Sequence, residues 1–84
     1  MKKEASFDNR DRLIQLGISI SSVRRLRGLS QEQLAEKADI SRSFLSNIEA
    51  PNIVQPFSID IFFNIAKALE IDPADLLNGK IFGS

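Results

Sequence analysis

Residues 28–49 read Gly28-Leu29-Ser30-Gln31-Glu32-Gln33-Leu34-Ala35-Glu36-Lys37-Ala38-Asp39-Ile40-Ser41-Arg42-Ser43-Phe44-Leu45-Ser46-Asn47-Ile48-Glu49. Ser30 stands three residues before Gln33, the spacing of a capping box: the hydroxyl accepts from the Gln33 backbone while the Gln33 side chain reaches back. A short helix over 31–38 follows, with Leu34, Ala35 and Ala38 on its inner face. Asp39-Ile40-Ser41 makes a tight turn, and Ser41 caps a second short helix over 42–49. Small Ala35 on the inner face lets the two helices cross closely. Short helices joined in this way hold the second one clear of the protein surface.

The second helix is cleanly divided. At about 100° per residue, Arg42, Ser43, Ser46 and Asn47 share one side, and Phe44, Leu45 and Ile48 share the other. The polar side carries groups that hydrogen-bond base edges: arginine to guanine, asparagine to adenine, serine to several bases. No carboxylate lies on it, which suits a face that meets phosphates. An amphipathic surface helix with no partner shows the same division, so this helix alone does not decide the function.

Outward from this stretch the chain reads as helical throughout. Leu13, Leu16, Ile20, Val23 and Leu26 recur at spacings of three and four, predicting a first helix from about residue 8 to residue 27. Gly28 supplies a left-handed cap, and Leu29 folds back onto the helix. Residues 1–7 read as frayed. Ala50 to Phe57 is a loop punctuated by Pro51 and Pro56. Ser58 caps a fourth helix to about Leu69, with Ile59, Phe62, Phe63, Ala66 and Leu69 on its apolar side and Ile61 at the edge. Asp72 and Pro73 begin a brief fifth helix ending near Asn78-Gly79. No segment alternates as a strand would. The expectation is an all-α domain of five helices over residues 1–84, with an ordered core at about 8–78. Phe62 and Phe63, at helical spacing among Ile and Leu, read as core residues and not as a base-stacking platform. Ile81 and Phe82 either cover the core or meet a partner.

Composition narrows the chemistry. The 84 residues include no Cys and no His. That excludes disulfides, the common zinc sites, and nucleophiles or bases of either type. No arrangement of Ser, Lys and carboxylate reads as a nucleophile with its base, so an enzyme is not expected, and neither is a metal or cofactor. The missing Cys suits a reducing cytoplasm. No run of about 18 apolar residues is present, and no apolar run follows the basic start, so neither a membrane span nor a signal peptide is expected. Net charge is zero, but it is unevenly distributed: residues 1–47 hold nine Lys/Arg against six Asp/Glu, and residues 48–84 hold two against five. A basic half allows an oriented approach to phosphate. The densest basic cluster is Arg24-Arg25-Arg27 at the end of the first helix, where the macrodipole also favours cations.

The stretch Gly28 to Ala38, followed by Ile40 to Glu49, resembles the Cro/repressor-type (Xre-like) helix-turn-helix family. Ile65-Ala66-Lys67-Ala68-Leu69 and Asp75-Leu76-Leu77 resemble that family's fourth and fifth helices. The resemblance covers about residues 13–78. It implies a sequence-specific regulator of transcription, most often a repressor, bound to a double-stranded DNA operator as a homodimer. Arg42, Ser43, Ser46 and Asn47 match the base-facing positions. Gln31 matches a glutamine that bonds phosphate and braces the recognition helix, and Ser41 joins it in the phosphate set. Arg24 and Glu49 match a pair joining the first and third helices. Arg25 and Arg27 are further phosphate candidates from the basic cluster.

The sequence departs from the family pattern in the turn, where Asp39 replaces a common Gly, and after the recognition helix, where Ala50-Pro51 replaces a basic residue and Gly. Pro51 has no N–H to offer a phosphate, which leaves Asn52 as the loop's candidate contact. The same fold also serves as an antitoxin-like or regulatory module whose main contact is a protein partner. In that reading the loop 50–57 and the tail Ile81-Phe82 are the surfaces.

Overall fold

The computed structural model describes residues 2–79, with side chains from Asn9 onward. Five helices follow one another: α1 (Lys2–Leu26), α2 (Gln31–Ala38), α3 (Arg42–Glu49), α4 (Ile59–Leu69) and α5 (Pro73–Asn78). No strand occurs among the described residues. Helix α2 packs on α4 and on α3, α1 packs on α3, and α5 closes the end of the bundle against α1 and α4. Ile20, Leu34, Leu45, Ile65, Leu69 and Leu76 are fully buried where these helices meet. Each such side chain contributes about 1.5–3 kcal/mol by leaving water. Ile81 and Phe82 lie outside the described residues.

Helix α1 differs from its sequence reading at both ends. It starts at Lys2, six residues before the expected start, because the segment before Asp8 contains no Gly or Pro to stop a helix. It ends at Leu26, and that residue, expected on the inner face, is 59% exposed. Ile20 and Val23 are buried as expected, and Gly17, Ser21 and Arg24 join them on the buried face. A Cβ added to Gly17 would overlap the Ile48 carbonyl oxygen and lie 3.1 Å from its carbon. The backbone of α1 therefore lies directly against that of α3. A seam made of Gly and Ser turns the helix by its lack of bulk, which a search for large apolar residues does not register.

Helix α4 is rotated from its sequence reading in the same way. Its inner face is Phe62, Ile65, Ala66 and Leu69, with Ile61 half-buried beside it. Ile59 and Phe63, both expected inside, are 65% and 51% exposed. Phe63 rests against Phe62, ring centroids 5.8 Å apart, and has no place in the core.

Among the described residues, α1, α2 and α4 end in the same hydrogen-bonded motif. After α1, Gly28 at φ 73° donates to the Arg25 carbonyl, and Leu29 to that of Arg24. After α2, Asp39 at φ 61° donates to Glu36, and Ile40 to Ala35. After α4, Glu70 at φ 57° donates to Lys67, and Ile71 to Ala66. Each is a Schellman cap, and in each the following apolar residue packs back on the core. Two of these three caps hold a residue with a Cβ at the left-handed position. The left-handed conformation costs an L-residue about 1–2 kcal/mol, while glycine's extra unfolded-state freedom takes back part of that gain. Glu70→Gly is therefore expected to stabilise the domain by about 0.5–1 kcal/mol. Asp39→Gly should gain less, because aspartate tolerates this region better. Thermal melts of the two variants check the sign and the order.

Candidate nucleic-acid interface

The capping box that starts α2 is formed: Ser30 Oγ accepts from the Gln33 N–H at 3.0 Å, and Gln33 Oε1 accepts from the Ser30 N–H at 2.8 Å. It fixes where Gln31 begins the helix. At the next turn Asp39 reverses the chain, and Ser41 Oγ accepts from the Phe44 N–H at 3.0 Å. These caps set the direction in which α3 leaves the body of the protein.

Leu45 and Ile48 of α3 are buried, and Phe44 is half-buried. Arg42, Ser43 and Ser46 are exposed on the opposite side, and Asn47 is half-buried at its edge. Ser41 and Ser43 bring their hydroxyls to 3.5 Å of each other. The helix has no acidic residue in its first turn. Its one carboxylate, Glu49, is turned inward and buried.

Glu49 is where the scaffold grips α3. Its Oε2 accepts from Arg24 Nε at 2.8 Å, and its Oε1 accepts from Arg24 Nη2 at 3.0 Å, a bidentate pair. Gln31 Nε2 donates to the same Oε1 at 3.0 Å. Arg24 Nη1 donates to the Leu29 carbonyl at 2.8 Å. One carboxylate thus joins the end of α1, the start of α2 and the end of α3. Gln31 keeps its own Oε1 and a second N–H for another partner.

The remaining sequence candidates fall in different places. Arg25 is exposed on the last turn of α1. Asn52 is exposed in a turn closed by the Ile53 N–H donating to the Ala50 carbonyl at 3.3 Å. Arg27 is drawn to the far end of α4: its Nε donates to the Leu69 carbonyl at 2.8 Å and its Nη2 to that of Glu70 at 3.0 Å. This cation serves the C-terminal carbonyls and dipole of α4.

One residue of the site went unread in the sequence. Gln55, half-buried in the α3–α4 loop, accepts from Asn47 Nδ2 at 3.5 Å. Nothing in Val54-Gln55-Pro56 but the proline draws notice, and the contact depends on how the loop folds back.

The family profile of the helix-turn-helix domain matches residues 17–80, which span α2, the Asp39 turn and α3. The chain belongs to the helix-turn-helix domain family. Its resemblance to the Cro/repressor-type (Xre-like) branch is supported by similar proteins. This helix-turn-helix domain is 35% identical over 65 residues to the HTH-type transcriptional regulator SinR of Bacillus licheniformis, over 77% of this chain and 58% of that protein. It is 38% identical over 56 residues to the control protein C.BamHI of Bacillus amyloliquefaciens, over 67% of each. Among solved structures it is similar to the restriction-modification controller protein C.AhdI of Aeromonas hydrophila. That match has a TM-score of 0.71 and 31% identity over 76% of this chain and 94% of that one. The helix-turn-helix domain thus spans little more than half the length of SinR. By their names these relatives are a transcriptional regulator, a control protein and a restriction-modification controller protein.

Among the described residues no group of three or more His, Cys, Asp or Glu is placed to hold a metal ion. No helix among them is long and apolar enough to cross a membrane.

Proposed function

We propose that this domain is a sequence-specific, double-stranded DNA-binding regulator of transcription, acting as a repressor and reading the major groove with α3. The observation that carries this is the face of Arg42, Ser43, Ser46 and Asn47, free of carboxylate and held outward by the Arg24–Glu49–Gln31 grip. Phosphate contacts from Gln31, Ser41, Asn52 and Arg25 set the register, and base contacts from the α3 face supply the specificity. The deciding experiment is selection from randomised duplex DNA followed by sequencing. Enrichment of one short motif supports the reading. No enrichment, together with a stable protein partner in a pulldown, replaces it with a protein-interaction module.

Two variants separate reading from positioning. Arg42 is exposed in the first turn of α3, and a guanidinium there can reach guanine O6 and N7 together. Arg42→Ala is expected to cost about 1–3 kcal/mol on the best site and to relax the preference at one base position. Gln31→Ala is expected to weaken binding to all sequences alike. Selections with both variants check this: an unchanged base preference in Arg42→Ala removes Arg42 from the reading set.

One such helix reads few base pairs, so we propose that two copies bind as a homodimer on half-sites one helical turn, about 34 Å, apart. Footprinting should show a palindromic site with that spacing. A single short, non-palindromic footprint would count against the dimer.

A further inference from the structure

We propose that Gln55 is a positioning residue for sequence reading: it fixes the orientation of the Asn47 side-chain amide before DNA arrives. The inference rests on the reading of α3 given above and names a determinant outside that helix. Gln55 Nε2 donates to the Pro56 carbonyl at 3.0 Å. A carbonyl only accepts, so the nitrogen of the Gln55 amide must face Pro56, and its oxygen is the atom presented to Asn47. That oxygen meets Asn47 Nδ2 at 3.5 Å. Asn47 therefore turns its NH2 group toward the loop, and one of its two flipped orientations is selected. The choice has consequences for recognition. An asparagine pairs with adenine by accepting from N6 and donating to N7, and a flipped amide presents the two groups in the wrong order.

The loop that carries Gln55 is built to hold it. Ala50 to Ile53 is closed by a backbone hydrogen bond, with Pro51 inside the turn. Val54 and Gln55 are half-buried, Pro56 has a fixed φ, and Phe57 packs on the core. Asn47 differs from its neighbours accordingly: Arg42, Ser43 and Ser46 are exposed, whereas Asn47 is half-buried. A side chain ordered in the free protein loses less freedom on binding, which favours the matching base.

The test is a double-mutant set, Asn47→Ala, Gln55→Leu and both together, each taken through selection on randomised duplex DNA alongside the wild type. Leucine keeps most of the volume and removes both amide contacts. Gln55→Leu is expected to flatten the preference, roughly fivefold, at the same base position that Asn47→Ala flattens. The double variant should be no flatter than Asn47→Ala alone, and the preference set by Arg42 should be unchanged. In the free protein, the Asn47 side-chain amide resonances should shift in Gln55→Leu while the melting temperature holds. Gln55→Ala serves as a second variant should leucine disturb the loop. The proposal is overturned if Gln55→Leu leaves that position untouched, changes a different one, adds to Asn47→Ala, or leaves the Asn47 amide resonances in place. A wild type that enriches no sequence overturns the reading of α3 itself, and this proposal with it.

Discussion

Gly17→Ala is expected to destabilise the domain by about 2–3 kcal/mol, against the sign that helix propensity gives. Gly17 lies inside α1, where alanine is favoured over glycine by about 1 kcal/mol. Packing reverses the balance. The new Cβ would overlap the Ile48 carbonyl oxygen, a backbone atom with no rotamer to escape into. Extra bulk in a filled core typically costs about 1–3 kcal/mol, and an immovable neighbour puts this case at the upper end or beyond. For a domain of this size the melting temperature should fall by about 10–20 °C. Gly28→Ala is the informative control. Gly28 has φ 73° but open space around it, so only the left-handed backbone is penalised, by about 1 kcal/mol. Thermal and urea unfolding of both variants decide the matter. A Gly17→Ala protein as stable as the wild type would mean that α1 and α3 are not in backbone contact.

Gly17 also marks where the sequence stops being legible. The number of helices, the two serine caps of the central motif and the division of α3 follow from local rules: a capping box needs only Ser30 and Gln33, and the α3 face needs only the helical repeat. The rotations of α1 and α4 do not follow from such rules. Leu26, Ile59 and Phe63 fit an apolar stripe by spacing, yet among the described residues each is more than half exposed. Which flank is covered depends on the partner helices, and for α1 the choice is made by residues with little or no side chain. The Arg24–Glu49 pairing came from family resemblance, because the two residues are 25 positions apart and no periodicity connects them. Three further contacts were illegible because they depend on how the chain folds back. Arg27 reaches carbonyls 42 and 43 residues away, and Gln55 meets Asn47 only through the path of the loop.

Removal of the Glu49 carboxylate is expected to have the largest effect of any side-chain truncation near the site. Arg24 and Glu49 are each 8% exposed. Glu49→Ala would leave the guanidinium buried with only the Leu29 carbonyl as partner, and would free the Gln31 amide. Breaking a buried pair from one side costs about 3–5 kcal/mol, a large share of the stability of a domain this small. Arg24→Ala should cost a similar amount, since it strands the carboxylate. The two truncations together should cost less than their sum, because neither charge is then left alone. A further variant separates folding from function. Replacing the pair by Arg24→Met with Glu49→Leu fills the same space with apolar groups, an exchange that is often neutral or stabilising. Its melting temperature should lie near that of the wild type. Its affinity for DNA should still fall, because Gln31 has lost the acceptor that ties it to α3. Unfolding curves and binding isotherms on the selected site would be measured in parallel. Full recovery of both in the apolar variant would reduce the network to a packing element. Recovery of stability alone would assign Glu49 a second task, that of holding Gln31 where a phosphate can meet it.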